Sequence, residues 1–297
     1  MSYQIKQFNL FGSGFFGIGC LMQQKILDIL KSNGLGSPEA IVRISNEALR
    51  KIKGIGNKAI QEIRQQYGPP LIGWPVDEQC RFLGIPYQKH KAKWDTYGFD
   101  RFNWYCEHKK DWVYPEDFVL NRYIADGWQG VNCEGRFIHT ILKLLTQNEL
   151  SGYWTSDYFY LTEAAHYSDD NLKHHQKRLQ ESIPNFQAST EKDLIERFEH
   201  CKNPQPESDE YGRPMPCFHH ATDWSTDLIV GAYRALGKEV LFEILRQLIV
   251  GGEKRRYGWP DLTIVKNGQI KFIEVKTIDR LGKAQIELWD CILKPLA

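Results

Sequence analysis

The chain has 297 residues, of which 42% are hydrophobic and 25% are charged, a composition typical of a globular protein with a sizeable core. The formal net charge is only +1, which excludes a globally basic nucleic-acid-binding protein and leaves only local basic patches for such contacts. No apolar run is long enough to span a bilayer, so we expect no membrane partner. The seven cysteines lack the spacing of a disulfide framework, which favours a reducing compartment.

The sequence divides into three predicted segments. Residues 1–68 show apolar positions at helical spacing and predict a small helical module. Residues 69–114 form an aromatic and basic connecting region whose secondary structure the pattern does not assign. Residues 115–297 carry the clearest periodicity and predict the main domain. Its predicted helices are 118–124, 134–145, 169–182 and 238–250.

Residues 261–276 predict a β-hairpin. Asn267-Gly268 between two β-rich runs indicates a two-residue type I′ turn. The register that this turn sets places Asp261 opposite Glu274 on one face, with Cβ atoms about 4.5–5.5 Å apart. Two carboxylates at that separation repel each other unless a cation lies between them, and hard cations prefer carboxylate oxygens. The hairpin therefore predicts a divalent-metal site, although a bulge would break the register.

Lys276 adds a cation to this predicted pair. It lies two residues after Glu274, so strand alternation puts both side chains on the same face. An ammonium there can orient or deprotonate an attacking water and stabilise charge developing on a phosphoryl group. The alternative interpretation is structural, with an acidic cross-strand pair at a strand end relieved by a neighbouring lysine.

Glu134 is the third candidate carboxylate. On the predicted helix 134–145 it continues the apolar stripe of Ile138 and Ile141. A carboxylate on a core-facing stripe is costly unless it is paired or bound to a metal. Alternatively, Glu134 is a helix N-terminal glutamate favoured by the helix dipole.

Several motifs follow one another between residues 115 and 292. They are Pro115-Glu116-Asp117-Phe118-Val119-Leu120, Gly127-Trp128-Gln129-Gly130-Val131-Asn132-Cys133-Glu134-Gly135, Gly258-Trp259-Pro260-Asp261-Leu262, Phe272-Ile273-Glu274-Val275-Lys276 and Asp279-Arg280-Leu281, with Gln285 and Trp289 beyond them. In this order they resemble the VRR-NUC (virus-type replication-repair nuclease) domain of the PD-(D/E)XK superfamily, and most closely its Fanconi-associated nuclease family. The resemblance implies an α/β fold with a restriction-endonuclease-like core and a helical insertion.

The resemblance also implies roles for individual residues. Metal binding falls to Glu134, Asp261 and Glu274, and a catalytic role falls to Lys276. The implied cofactor is Mg²⁺ or Mn²⁺. The implied activity is hydrolysis of phosphodiester bonds in branched DNA, chiefly at 5′ flaps, with endonuclease and 5′-to-3′ exonuclease action in DNA repair.

Two further residues in this region are candidates. Gln285 occupies a position that often lines the active site in the superfamily, where it would hold water or phosphate. The alternative is a surface glutamine. Arg280, in the Asp279-Arg280-Leu281 motif, is a predicted DNA contact.

The small module contains a second DNA-binding pattern. The segment from Leu49 to Ile63 resembles a helix-hairpin-helix motif, with Gly54 and Gly56 in the turn. Glycines let the backbone approach a phosphate, and the helix after the turn presents free N–H groups to the anion. Lys53 and Lys58 beside the turn favour a phosphate backbone. The alternative is a tight turn between packing helices or a protein-docking module.

Other interpretations stay open. The lysines and aromatic residues of 87–114 either extend the DNA surface by stacking on unpaired bases or form core with a solvated basic rim. Cys106 with His108, and Cys217 with His219 and His220, do not have the spacing of a regular zinc site.

The competing functions are a Holliday-junction resolvase-like nuclease and a non-catalytic DNA-binding repair adaptor. The expected location is the cytoplasm, near the nucleoid, in a prokaryote or virus, and the nucleus in a eukaryote. The sequence indicates no particular protein partner.

Overall fold

A computed structural model describes residues 22–90, 93–96, 102–146, 180–202, 224–251 and 257–296. The chain forms two compact units that divide after Tyr87. The predicted three-segment division at 68 and 114 stays a prediction. Most of the predicted helix 169–182 lies outside the described residues, as do Cys217, His219 and His220.

The small unit is helical throughout its described residues, as predicted for the first module. Its helices are α1 (Gln24–Ser32), α2 (Pro38–Arg43), α3 (Asn46–Arg50), α4 (Asn57–Tyr67) and α5 (Val76–Leu83), with a 3₁₀ turn at Leu71–Gly73. The helices bury one apolar face each, and the core includes Ile26, Leu30, Leu49 and Ile63. Burial of these faces stabilises helices that are too short to form alone.

The caps of two helices show how the sequence sets their starts. Ser37 caps α2, since its Oγ accepts the Ala40 N–H at 3.2 Å. The cap of α3 is Ser45 rather than Asn46. Ser45 is extended and its hydroxyl accepts the Ala48 N–H, so Asn46 is already the first helical residue.

The large unit is a mixed α/β structure built on two small sheets. The first sheet has the order β1 (Trp94–Thr96), β2 (Phe102–Cys106) and β3 (Asp111–Val113), and the second has the order β4 (Gln129–Asn132), β5 (Leu262–Lys266) and β6 (Gln269–Ile273), all antiparallel. The helices are α6 (Pro115–Ala125), α7 (Arg136–Thr146), α8 (Ile183–Ala188), α9 (Glu191–Lys202), α10 (Thr226–Gly251), α11 (Lys283–Leu288) and α12 (Lys294–Leu296), with a π-helical segment at Trp289–Leu293 between the last two. The mixed class agrees with the prediction in this coarse form.

Helices α7 and α10 carry the main core of the large unit. Every residue of α7 after Arg136 is buried, and α10 buries Leu241, Ile244 and Leu245 against it. Gly237 interrupts α10 at a φ of 76°, so its second half corresponds to the predicted helix 238–250. Helix α6 likewise contains the predicted helix 118–124. The described helices include none long and apolar enough to cross a membrane.

Candidate active site

The β5–β6 hairpin has the predicted register. Asn267 and Gly268 both have positive φ, at 50° and 75°, which is the conformation of a type I′ turn. The ladder pairs Lys266 with Gln269 and continues without a bulge to its last pair, Leu262 with Ile273. One further step in the same register brings Asp261 opposite Glu274, immediately beyond the paired strands.

Asp261 is tied to both neighbouring strands. Its carboxylate Oδ2 accepts the Val275 backbone N–H at 2.7 Å. Its backbone carbonyl accepts the N–H groups of Cys133 at 2.9 Å and Glu134 at 3.3 Å. The end of β4 and the chain after β6 therefore both meet at Asp261, and the position of its carboxylate is fixed from two sides.

Glu274 lies within a short polar cluster. Its Oε1 is 2.6 Å from the ammonium of Lys276 and accepts a hydrogen bond from Gln285 Nε2 at 2.5 Å. Its other oxygen, Oε2, is buried and has no hydrogen-bond partner. A buried carboxylate oxygen without a donor carries an uncompensated desolvation cost. Glu274 thus holds one satisfied oxygen and one open oxygen.

Ionisation of both Asp261 and Glu274 is electrostatically unfavourable, since the pKa of each carboxyl is raised. Burial raises the pKa of Asp261 to about 6, although the Val275 hydrogen bond and the charge of Lys276 act in the other direction. Burial and then the charge of Asp261 raise the pKa of Glu274 to about 7, against the Lys276 and Gln285 hydrogen bonds. A cation bound between these two carboxyls would offset their mutual repulsion and favour their ionised forms.

Gln285 lies on α11 and contacts Glu274 directly. Its Nε2 donates to Glu274, while its Oε1 accepts the Gly282 N–H at 2.8 Å. One amide thereby joins the start of α11 to the carboxylate. These contacts account for Gln285 as a positioning residue for Glu274, and its predicted contact with water or phosphate stays a prediction.

Glu134 does not lie on a helix, so the predicted apolar stripe through it is wrong. Helix α7 begins at Arg136, and Glu134 occupies the preceding turn with a φ of 46° and an exposed side chain. The turn follows from Gly135, which also has positive φ at 82°, because such a pair cannot start a regular helix. The turn nevertheless brings Glu134 next to the Asp261 backbone, and its charge adds to the raised pKa of Asp261, which is caused mainly by burial.

Two glycines of the motifs are required by close approaches. A Cβ on Gly135 would lie 2.4 Å from Trp259 Cγ, and a Cβ on Gly258 would lie 2.4 Å from the Ala284 carbonyl carbon. Both have positive φ, which other residues rarely adopt. The Glu-Gly turn therefore packs on the segment leading into Asp261, and that segment packs on the start of α11. The spaced motifs meet at one place.

The structure brings two of the three predicted metal ligands together. Within the described residues, no group of three His, Cys, Asp or Glu side chains has a metal-binding arrangement, and the Glu134 side chain is exposed in its turn. The open oxygen of Glu274 and the mutual repulsion of Asp261 and Glu274 fit a hard divalent cation. Glu134 as a third ligand stays a prediction.

Glu116 is a site residue that the sequence reasoning missed. It lies in the first turn of α6, and its charge adds to the effect of burial on the pKa of Asp261. Helix α6 packs on β4, where Asn132 Nδ2 donates to Asp117 Oδ1 at 3.3 Å. The only sequence signal was the Pro-Glu-Asp motif, to which no role was attached.

The predicted DNA contacts fall in both units. In the small unit, Lys53 and Lys58 are exposed around the turn between α3 and α4. Gly54 has a φ of 95° and packs against Ile29, and Gly56 is the residue before α4. In the large unit, Arg280 is exposed in the segment before α11. The turn between two helices is confirmed, and DNA binding stays a prediction.

Cys106 and His108, which the sequence places two residues apart, lie in different environments. Cys106 is fully buried against α6, whereas His108 is exposed in the turn between β2 and β3.

Comparisons with known proteins give a likeness to solved structures, but no family model and no curated protein matches the chain. A matching solved structure is described as "Crystal structure of paFAN1 bound to 2nt 5'flap DNA with gap", with 17% sequence identity and a TM-score of 0.40. The match covers 91% of this chain and 46% of that chain, so this chain spans less than half of its length. At this level of similarity, function has to be argued from the site itself.

Proposed function

We propose that this chain is a divalent-metal-dependent nuclease with a PD-(D/E)XK core that hydrolyses phosphodiester bonds in branched DNA. One observation carries the proposal. Asp261 and Glu274 form a partly buried carboxylate pair at the open end of a hairpin, with Lys276 in contact with Glu274 and one buried Glu274 oxygen left open. A structural acidic pair would be expected to satisfy its buried oxygens, whereas a metal-binding pair keeps one available.

The proposed ligands for Mg²⁺ or Mn²⁺ are Asp261 and Glu274, with Glu134 added from the turn beside Asp261. When bound there, the metal would polarise a phosphoryl oxygen and lower the pKa of a water molecule. The chain itself fixes the ligands. Val275 holds Asp261 through its backbone N–H, and Gln285 holds Glu274 through its amide.

Lys276 is the proposed catalytic cation. Its ammonium lies 2.6 Å from Glu274 Oε1 and is mostly buried, with 18% of the side chain exposed. A positive charge in a site of low water access stabilises negative charge developing on a phosphoryl group more strongly than it would in water. The same ammonium can orient the attacking water by hydrogen bonding.

The preference for branched DNA, in particular for 5′ flaps, is the finer part of the proposal. It is supported by the order of the motifs between residues 115 and 292 and by a second candidate DNA-binding element in the small unit. There the exposed residues Lys53 and Lys58 surround the start of α4, where backbone N–H groups of a helix N-terminus attract an anion. Replacing either lysine should weaken binding to all DNA sequences equally and reduce its salt dependence.

The direct test is cleavage of labelled DNAs by purified protein with Mn²⁺. The panel contains 5′ flap, 3′ flap, four-way junction, single-stranded and blunt duplex substrates. We expect 5′ flaps to be cut fastest. Symmetric cuts in the four-way junction, in preference to flap cutting, would instead support the resolvase-like alternative. Binding of branched DNA without any cleavage in Mg²⁺ or Mn²⁺ would support the non-catalytic adaptor.

A further inference from the structure

The first sheet of the large unit has two different faces. On the inner face, the Trp104 ring contacts Phe118 of α6 edge to face, with ring centroids 5.2 Å apart, and Cys106 is fully buried beside it. The other face carries the alternate residues Tyr105 and Trp112. These two are direct cross-strand partners, and their rings lie edge to face with centroids 5.6 Å apart.

The outer face is aromatic and still open to solvent. Trp112 is 44% exposed, and Tyr114, at the end of β3, is 45% exposed. Large aromatic rings grouped on one solvent-facing sheet surface are unusual, because their burial is worth more than that of any other side chain. We call this face, defined by Tyr105, Trp112 and Tyr114, the aromatic face.

Lysines lie at the edges of the aromatic face. The Tyr105 N–H donates to the Lys93 carbonyl at 3.0 Å, which extends the β1–β2 ladder and puts the exposed Lys93 side chain on the same face as Tyr105. The turn between β2 and β3 adds Lys109 and Lys110, both exposed, against two exposed carboxylates, Glu107 and Asp111. Asp111 beside the turn accepts the Trp112 N–H at 2.7 Å. The rim is therefore net positive next to open aromatic rings.

The sheet belongs to the same packed structure as the candidate active site. Cys106 of the sheet, Phe118 of α6 and Leu262 of the hairpin share one buried cluster. Leu262 follows Asp261 directly in sequence. One buried cluster therefore supports both the sheet that carries the aromatic face and the strand that follows Asp261.

We propose that the aromatic face binds an unpaired DNA strand, with Trp112 and Tyr105 stacking on bases and Lys93, Lys109 and Lys110 contacting phosphates. Aromatic stacking needs unstacked bases, which a duplex does not offer, and lysines at the rim complement a polyanion. The choice of DNA as the polymer rests on the proposed function, which it deepens by naming the part of a branched substrate that this face holds.

The test measures binding separately from cleavage. Fluorescence anisotropy with a labelled oligothymidylate of about 15 nucleotides, a length near the site size of such surfaces, is recorded in a chelator with wild type, Trp112→Ala, Trp112→Phe and Ile124→Ala. Ile124 is a matched control because it is an exposed apolar residue of α6 in the same unit, 48% exposed. Melting temperatures check that each variant folds.

We expect Trp112→Ala to weaken oligothymidylate binding about 5- to 100-fold, the range for losing one stacked base. Trp112→Phe should retain most of the affinity, Ile124→Ala should match wild type, and binding of a blunt duplex should change little in any variant. Unchanged oligothymidylate binding by Trp112→Ala overturns the inference, as does equal weakening by Ile124→Ala. Binding that depends on Trp112 but is confined to an RNA oligomer of the same length overturns the assignment to DNA.

The outcomes separate this inference from the proposed function. If the protein binds oligothymidylate through Trp112 but cuts no branched DNA, the nuclease proposal is refuted and the assignment of the aromatic face is supported. If the protein cuts flaps and binds the oligomer equally well with and without Trp112, the nuclease proposal is supported and the assignment of the aromatic face is refuted.

Discussion

Arg64 in the small unit and Glu274 in the large unit are both partly withdrawn from solvent, but their hydrogen bonding differs. In the small unit, the Arg64 guanidinium donates to the carbonyls of Ile41 at 2.9 Å and Ile44 at 2.6 Å and to Asn46 Oδ1 at 2.8 Å. In the large unit, Glu274 has two partners on one oxygen and none on the other. Arg64 is satisfied on all three nitrogens, whereas Glu274 is satisfied on one oxygen only.

The difference separates a structural polar group from a functional one. Arg64 joins α4 to the end of α2 and the start of α3, and burial lowers the pKa of its guanidinium. For Glu274, burial and the charge of Asp261 favour the protonated carboxyl and raise its pKa to about 7. A buried charged oxygen without a hydrogen-bond partner is destabilising by itself. Such an oxygen is expected where a ligand completes the site.

The largest expected effect is on cleavage. Asp261→Asn and Lys276→Ala should each lower the rate of flap cleavage by about 10³-fold or more, because preorganised charges at a reacting phosphate are worth several kcal/mol. Binding of uncut flap DNA in a chelator should stay within about threefold. Single-turnover kinetics with Mn²⁺ provides the measurement.

The matched control for these variants is Glu191→Gln, which removes an exposed carboxylate that pairs with Arg234 through two contacts of 2.6 and 2.9 Å. It should cleave like wild type. Cleavage by Asp261→Asn at a rate close to that of wild type would show that the carboxylate pair has no role in catalysis.

The next effect is on the stability of the small unit. Arg64→Ala should destabilise it by about 2–4 kcal/mol, because two backbone carbonyls and the Asn46 side chain lose their donors. Arg64→Lys should recover only part of this, since an ammonium cannot reproduce the fork of the guanidinium. Hydrogen exchange of peptides from α2 to α4 reports the change. If exchange in Arg64→Ala equals that in an exposed-lysine control, Lys25→Ala, Arg64 is not structural.

The third effect concerns the turn beside Asp261. Gly135→Ala should lower stability by about 1–3 kcal/mol or more, since it adds a clash with Trp259 to a strained positive φ. Gly268→Ala is the control, because it has a similar φ but open space around its Cβ, so it should cost only about 1 kcal/mol. Urea unfolding compares the two. Equal losses would show that the Gly135–Trp259 approach does not matter.

The smallest predicted effect is a pH dependence of stability in a metal chelator. The folded pKa values of Asp261 and Glu274, about 6 and about 7, lie above the unfolded values near 4. Between these limits the folded chain binds more protons, so its free energy of unfolding falls as pH rises from about 4 to about 7.

Glu274→Gln should flatten this fall by about 1–2 kcal/mol between pH 5 and pH 8. The measurement is urea unfolding of wild type and variant at both pH values. Parallel pH dependences in the two proteins would contradict the raised pKa of Glu274 in the folded chain.

The hairpin was the part of the site most accessible to sequence reasoning. Asn267-Gly268 demands one turn type, and this turn sets the register that the β5–β6 ladder shows. The pairing of Asp261 with Glu274 follows from local chemistry alone. The same holds for Lys276, because strand alternation needs no knowledge of the rest of the fold.

The parts that were missed depend on long-range packing. The sequence predicts Glu134 on a helix because the apolar stripe of α7 runs up to it. The turn at Gly135 instead depends on a close approach to Trp259, which is far away in sequence. Glu116 acts on Asp261 only because α6 packs beside β5. The short strands β1 and β3, of three residues each, are below the length at which alternation is informative.

The central claim, that the open oxygen of Glu274 belongs to a cation site, is tested most directly by calorimetric titration of the full chain with Mn²⁺ near neutral pH. Wild type should bind Mn²⁺ with a defined stoichiometry. Glu274→Gln and Asp261→Asn should weaken this binding at least about tenfold, or about 1.4 kcal/mol, while Glu191→Gln should not. Equal Mn²⁺ affinity in wild type, Glu274→Gln and Asp261→Asn would contradict the claim.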